Sequence, residues 1–525
     1  AEPSAHTPEP VNFGNVRVGT ATNQNLTLSN QAANDGFSEK LDASMGGATA
    51  GITTGGSFTL LAPQATDSTS LHVGIDTSTA GAKVGTATIT LASDGLGTSG
   101  LGITPLPSQT VNVSGNVYRL ANPQLNTTSI DLATRVGAAS PTASISVTNS
   151  SPDAFTERLN ASLGAAPAGF TGSGSIVGLA AGASSSALGV GLSTGTAGSF
   201  SGSIGVAFVS SGAGTTGAPD ASVGSQSVAL TGRVYTPAVA TVNTPTVDFG
   251  IVHRGDTVTL RGVSVTNSAA IAAPNDVLNG SIGAAPAPFT ASGGFAGLAA
   301  QQTSPDSMLI GLHTTDAGVF NGSATVSFSS HDAELADLDL GSSTIALKGQ
   351  VNNFAQAAFA KASGSPVLTH NGNVWTLDFG SILQGAPDEA GGLDVLNAAA
   401  APADALRGSF DVTGVGSEFL LAGFDPFNGL AAGDSVQGFL VTLDSANLGT
   451  FQDTIVLHSA GSNASGFDGA LDDVELVLRG NVVQVGAVPE PGTWLLMMGG
   501  LLAAAGVRRR AAGRASMSGK ALIAC

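Results

Sequence analysis

The sequence predicts an all-β chain: four tandem β-sandwich repeats followed by a short C-terminal hydrophobic helix. Three observations carry this. One closing strand recurs four times, alternating apolar runs fill the interval between copies, and no convincing amphipathic helix interrupts them over 525 residues. The closing strands are Val111–Val117, Val228–Val234, Ile345–Val351 and Leu476–Val482, each running through a glycine (Gly115, Gly232, Gly349, Gly480). Those glycines are 117, 117 and 131 residues apart. A fixed period of this length is too long for a β-helix coil or a propeller blade and suits a whole small domain.

Opening strands repeat as well, at Val11–Gly14, Ile130–Leu132, Val247–Gly250 and Leu377–Gly380, the second being the loosest match. Mid-repeat runs such as Leu188–Leu192, Met308–Leu312 and Phe439–Leu443 alternate with period two, which puts one set of side chains on a core face and the other in solvent. Gly, Pro, Asn and Ser clusters between the runs supply turns. The repeats are placed at residues 9–120, 124–236, 243–352 and 373–485. Linkers are expected at residues 118–124, 235–244 and 352–372, with the Ala-rich stretch 354–362 forming a turn or two of helix.

Composition narrows the function. Charged residues are only 10% of the chain, against about a quarter in typical domains, and the net charge is −19 from 18 basic and 37 acidic residues. Thirteen of the basic and all of the acidic residues lie in 1–490, leaving a body of −24 and a basic tail of five. A polyanionic body argues against nucleic acid, whose phosphates need basic clusters. The single Cys525 allows neither an intrachain disulfide nor a cysteine metal site.

Catalytic and cofactor patterns occur only in contexts that do not suit their chemistry. Gly191-Leu-Ser193-Thr-Gly195 matches a nucleophile pattern but joins two alternating strands, not a strand and a helix. Gly95–Gly100 and Gly212–Gly217 match Gly-x-Gly-x-x-Gly but open no helix, and read as flexible hairpin connections. The same loop is acidic later on, with Asp332, Glu334, Asp337 and Asp339 in the third copy and Asp468, Asp472, Asp473 and Glu475 in the fourth. It reads as a solvated acidic edge, with weak calcium binding as the alternative. The seven histidines fall at non-equivalent positions and share no site, and no cofactor is expected.

The tail is the most specific segment. Pro489-Glu490-Pro491 precedes an apolar run, Trp494–Val507, of 14 residues and then Arg508-Arg509-Arg510. As a helix the run is about 21 Å long, short of the roughly 30 Å hydrocarbon core, which fits a processed signal better than a permanent anchor. These features, within residues 488–510, resemble the PEP-CTERM sorting signal of Gram-negative bacteria. The resemblance implies export, transient residence at the inner membrane, recognition by an exosortase-type enzyme, and a place at the cell surface or in an exopolysaccharide or biofilm-type matrix. Ala1-Glu2-Pro3 shows no basic, apolar leader, so either a signal peptide has been removed or the chain begins inside a longer precursor, and the sorting-type tail favours the first. The body resembles the choice-of-anchor D type of Ig-like repeat, related to the ASH/hydin sandwich, through Val247–Gly250, Val265-Thr-Asn-Ser268 and the closing Leu-x-Gly-x-Val strands. That family brings no catalytic residues.

The expected function is therefore a non-enzymatic exported surface or matrix protein, partnered by the exosortase-type enzyme and by extracellular polysaccharide or surface proteins. The alternative is an adhesin or glycan-binding protein working through inter-strand loops, with or without calcium. A third, weaker alternative is an exported enzyme with its site in the irregular fourth copy.

Overall fold

In the computed structural model, residues 1–484 and Gly486 are described, and they contain β-strands and no helix. The expected C-terminal helix and all six sorting-signal residues, Pro489, Glu490, Pro491 and Arg508–Arg510, lie outside the described residues.

Alternation along the strands builds four separate hydrophobic cores, one for each repeat. In the first, Leu26, Leu71, Ile89 and Val111 are fully buried between two facing sheets. One sheet has five strands in the order Val11–Arg17, Thr104–Tyr118, Gly81–Asp94, Lys40–Gly46, Ser57–Leu61. The other holds Gln24–Ser29, Thr66–Ile75 and Ile52–Gly55. Repeat 2 copies this plan. In repeat 3 the strand Phe289–Leu298 pairs first with Met308–Leu312 and then with Val277–Ile282, so its two sheets join into one path. The equivalent of that strand in repeat 2 is cut at Gly174 into Phe170–Ser173 and Ser175–Leu179.

Packing explains the recurring closing-strand glycine. A Cβ at Gly232 would sit 2.6 Å from Leu192 Cδ1 and 3.0 Å from Phe170, and one at Gly480 would sit 2.4 Å from Leu443 Cδ2. The opposite sheet's core side chains occupy the space a side chain would need. The opening-strand glycines have a different cause. Gly14, Gly250 and Gly380 adopt φ of +64°, +69° and +66°, each at a bulge that shifts register against the closing strand. Repeat 2 has one residue fewer here and pairs from Ser129 to Arg135 without a shift, which is why its opening motif matches loosely.

The stretch read as the third linker is corrected. Residues 357–363 form a strand that pairs with Glu389–Asn397, and 367–371 form a hairpin with Val374–Leu383. Phe359 is 2% exposed in the repeat 4 core, so burial overrides the helix preference of the alanines around it. The earlier linkers are also shorter than expected, because Pro123–Leu125 and Ala240–Val242 already belong to the next repeat's sheets.

Candidate functional site

The opening strand runs parallel to the closing strand in every repeat. Both strands therefore finish at the end of the sandwich from which the chain leaves. The last opening-strand residue pairs with the last closing-strand residue before the linker: Arg17 with Tyr118, Arg135 with Tyr235 and His253 with Asn352. Parallel pairing thus delivers a cationic or cationisable side chain to the next repeat, three times over.

Each of these side chains meets a fully buried carboxylate of the following repeat. Arg17 donates to Glu157 through Nε (2.9 Å) and Nη2 (2.8 Å), and Nη2 also donates to the Pro219 carbonyl (2.9 Å). Arg135 Nε donates to Asp276 Oδ2 (2.5 Å), and its Nη1 to the Ala336 carbonyl (2.8 Å). His253 Nε2 lies 2.6 Å from Asp404 Oδ2. Each carboxylate is steadied by its own repeat. Ser210 and Thr216 donate to Glu157 (2.8 and 2.6 Å), Ser330 donates to Asp276 (2.7 Å), and Asn463 donates to Asp404 (3.0 Å). Asp276 is the shortest fit, and its Oδ1 is buried without a partner.

Backbone bonds lock the same places. The linker residue's N–H donates to a carbonyl of the next repeat, and the carboxylate-bearing residue's N–H donates back to the linker carbonyl. The pairs are Arg119 with Phe155 and Glu157, Thr236 with Pro274 and Asp276, and Asn353 with Pro402 and Asp404. A fully buried Asn at the end of the strand just before each acceptor loop (Asn149, Asn267, Asn397) helps hold that loop. Asn397 Nδ2, for example, donates to the carbonyls of Asp404 (2.9 Å) and Leu430 (3.1 Å), while its Oδ1 accepts from Gln356. Asn267 of the Val265–Ser268 motif is the repeat 3 counterpart, bonded to Leu298 and Val239.

Several discarded motifs acquire roles here. The Gly212–Gly217 loop, read as a flexible connection, is closed by backbone turn bonds and places Thr216 on the joint carboxylate. In repeat 1 the Gly95–Gly100 loop places Ser99 on the equivalent carboxylate, Glu39, which also accepts from Ser93 of the preceding strand, and the two hydroxyls hold its carboxyl below the ordinary value. The acidic loop of repeat 3 is no free edge: Asp332 faces Arg135 (3.3 Å), and Glu334 accepts from Arg233 (2.6 Å) and Tyr235 (3.0 Å), both on repeat 2. In repeat 4, Asp468 pairs with Arg407 and Asp473 with His458. Among the described residues no three His, Cys, Asp or Glu side chains group to hold a metal ion.

More exposed pairs rim the joints. Arg119 donates to Asp153 (2.6 Å) and holds its carboxyl below the ordinary value, and Arg233 does the same to Asp131 (2.8 Å) with Thr231 assisting. Tyr118 of repeat 1 packs on Phe155 of repeat 2, with ring centroids 5.8 Å apart. Ser193 of the nucleophile-like pattern follows the strand Ser184–Leu192, and its N–H donates to the Gly169 carbonyl.

Residues 487–510 match the PEP-CTERM protein-sorting motif, which implies an exported protein handled by an exosortase-type enzyme and held transiently at the membrane. No curated protein matches the chain in sequence. Among solved structures, similarity is found to the human desmocollin-1 ectodomain (10% identity, 92% of this chain and 81% of that one, TM-score 0.28). Mouse cadherin-23 EC22-24 (14%, 67% and 99%, 0.29) and titin domains I67-I69 (12%, 70% and 99%, 0.25) are similar at the same level. At such scores these likenesses carry no argument about function. Among the described residues no helix is long and apolar enough to cross a membrane.

Proposed function

We propose that this chain is a non-enzymatic structural protein of the cell surface or extracellular matrix. In this reading four sandwiches in series provide reach, and the C-terminal motif delivers them outside the cell. The observation that supports it most directly is the set of joints. The best-built polar clusters are spent on fastening one repeat to the next, which is what a spacer or scaffold needs. Extracellular polysaccharide or neighbouring surface proteins are the partners this reading implies, and a Gram-negative envelope is the setting.

The adhesin reading keeps one specific support. A groove of about 520 Å³ on repeat 4 brings Arg407, His458, Asn428, Ser409 and Phe427 together. Arg407 and His458 there already face Asp468 and Asp473, which weakens it as a ligand site.

Intact mass of the protein recovered from the surface and medium of the producing cell tests the delivery step. The expected product ends close to Pro489. A product that keeps Cys525 overturns exosortase-type processing, and the matrix assignment loses its main support.

A further inference from the structure

We propose that the joint between repeats 3 and 4 is a pH-responsive hinge, docked in mildly acidic surroundings and released as the pH rises, while the two joints before it stay fixed. The inference comes from comparing three equivalent positions within one chain. Arg17, Arg135 and His253 all end an opening strand, all pair with the last closing-strand residue, and all reach a fully buried carboxylate of the next repeat. Two carry a guanidinium, whose charge is permanent; the third carries an imidazole, whose charge changes between about pH 5 and 8.

The surroundings of His253 make its charge matter. The residue is 5% exposed. Its Nε2 faces Asp404 Oδ2 at 2.6 Å, and the other Asp404 oxygen accepts from Asn352 (2.8 Å) and Asn463 (3.0 Å). Its Nδ1 faces Asp256 Oδ2 at 3.5 Å. The ring stacks on Phe354 of the linker at 4.1 Å and meets the edge of Phe467 of repeat 4 at 4.3 Å. Arg254, next along the chain, is turned to the Thr315 carbonyl. The charged groups facing the imidazole are therefore two carboxylates, and no cation competes for Asp404 in this cluster.

An imidazolium in this setting neutralises a buried carboxylate and presents its charge to an aromatic face, and both favour the docked state. A neutral imidazole still donates one hydrogen bond but leaves Asp404 charged and desolvated, so water entry by undocking becomes favourable. The charged ring therefore favours docking and the neutral ring does not, so the joint opens as the pH is raised. The flanking contact from repeat 3, Ile251 N–H to Ser465 Oγ (2.7 Å), belongs to the same loop as Phe467 and should loosen with it.

Hydrogen exchange on the full chain at about pH 5.5 and about pH 8, corrected for intrinsic chemistry, tests this. The probes are the amides of Asn353 and Asp404, which bridge the joint, with Arg119 and Glu157 as the internal reference. In the unaltered protein, opening at Asn353 and Asp404 should rise about five- to tenfold from the acidic to the alkaline sample, with the reference unchanged. His253→Arg should hold the joint closed at both values, and His253→Gln should leave it open at both. Should the arginine fit poorly, His253→Lys, also charged at both values, must likewise remove the pH dependence. Equal opening in the unaltered protein at the two values overturns the proposal, and so does a persistent pH response in all three variants.

Discussion

Replacing Arg17 by Met is the sharpest test of what holds consecutive repeats together. The substitution keeps an unbranched, apolar stem and removes the guanidinium. Two charge-assisted hydrogen bonds to Glu157 and one to the Pro219 carbonyl disappear. Glu157 itself is fully buried, so it would remain as an unpaired charge supported only by Ser210 and Thr216. Removing one partner of a buried pair generally costs about 3–5 kcal/mol. The Arg17 side chain is 20% exposed and two hydroxyls remain, so the lower end, about 3 kcal/mol, is the appropriate figure.

That cost has a ceiling, because undocking readmits water to Glu157 without unfolding either sandwich. The expected result is therefore an opened joint between intact repeats. Exchange of the Arg119 and Glu157 amides should accelerate by about two orders of magnitude, at roughly tenfold per 1.4 kcal/mol, while core-strand amides stay protected. A double-mutant cycle with Glu157→Gln should give a coupling of at least about 1.5 kcal/mol. A rate change below about threefold, with coupling near that of an exposed pair at about 0–1 kcal/mol, would refute the reasoning.

Two further outcomes test the fold and the rim. Gly232→Ala should destabilise repeat 2 by about 1–3 kcal/mol in urea unfolding, because the new Cβ meets Leu192 and Phe170; an unchanged midpoint would show that the sheets can part. Asp153, held below the ordinary carboxylate range by Arg119, favours docking fully above its unfolded value and loses that contribution as pH falls through its folded value. Arg119→Gln should therefore move its titration, followed by NMR, up toward about 3.9, and an unmoved midpoint would remove Arg119 as the cause.

The sandwiches were legible because both of their signals are local. Alternation such as Leu188–Leu192 and a glycine at a fixed place in each closing strand need only a short window. The joints were not legible, because Arg17 and Glu157 are 140 residues apart and belong to different repeats. Chemical variety hid them further: the donors are Arg, Arg and His, and the acceptors Glu, Asp and Asp. Reading the histidines only against one another concealed that His253 shares a position with two arginines. Aligning the repeats on the buried Asn30, Asn149, Asn267 and Asn397 would have exposed the acceptors, which follow within seven to nine residues as Glu39, Glu157, Asp276 and Asp404. The alanines of 354–362 misled for another reason, since their helix preference is weaker than the pull of Phe359 into a core.

Each sandwich thus has two unlike ends, one offering a donor and the other an acceptor. Such a series has a direction, and a unit copied between repeats 1 and 4 brings both halves of the fastening with it. Gene duplication or loss of a whole unit could alter the length without any new interface having to be invented. The fourth unit breaks this rule: where its predecessors have Arg or His it has Leu383, 48% exposed, so the donor end is chemically blank. Added units must then fall ahead of the fourth sandwich, which stays the one adjoining the sorting segment whatever their number.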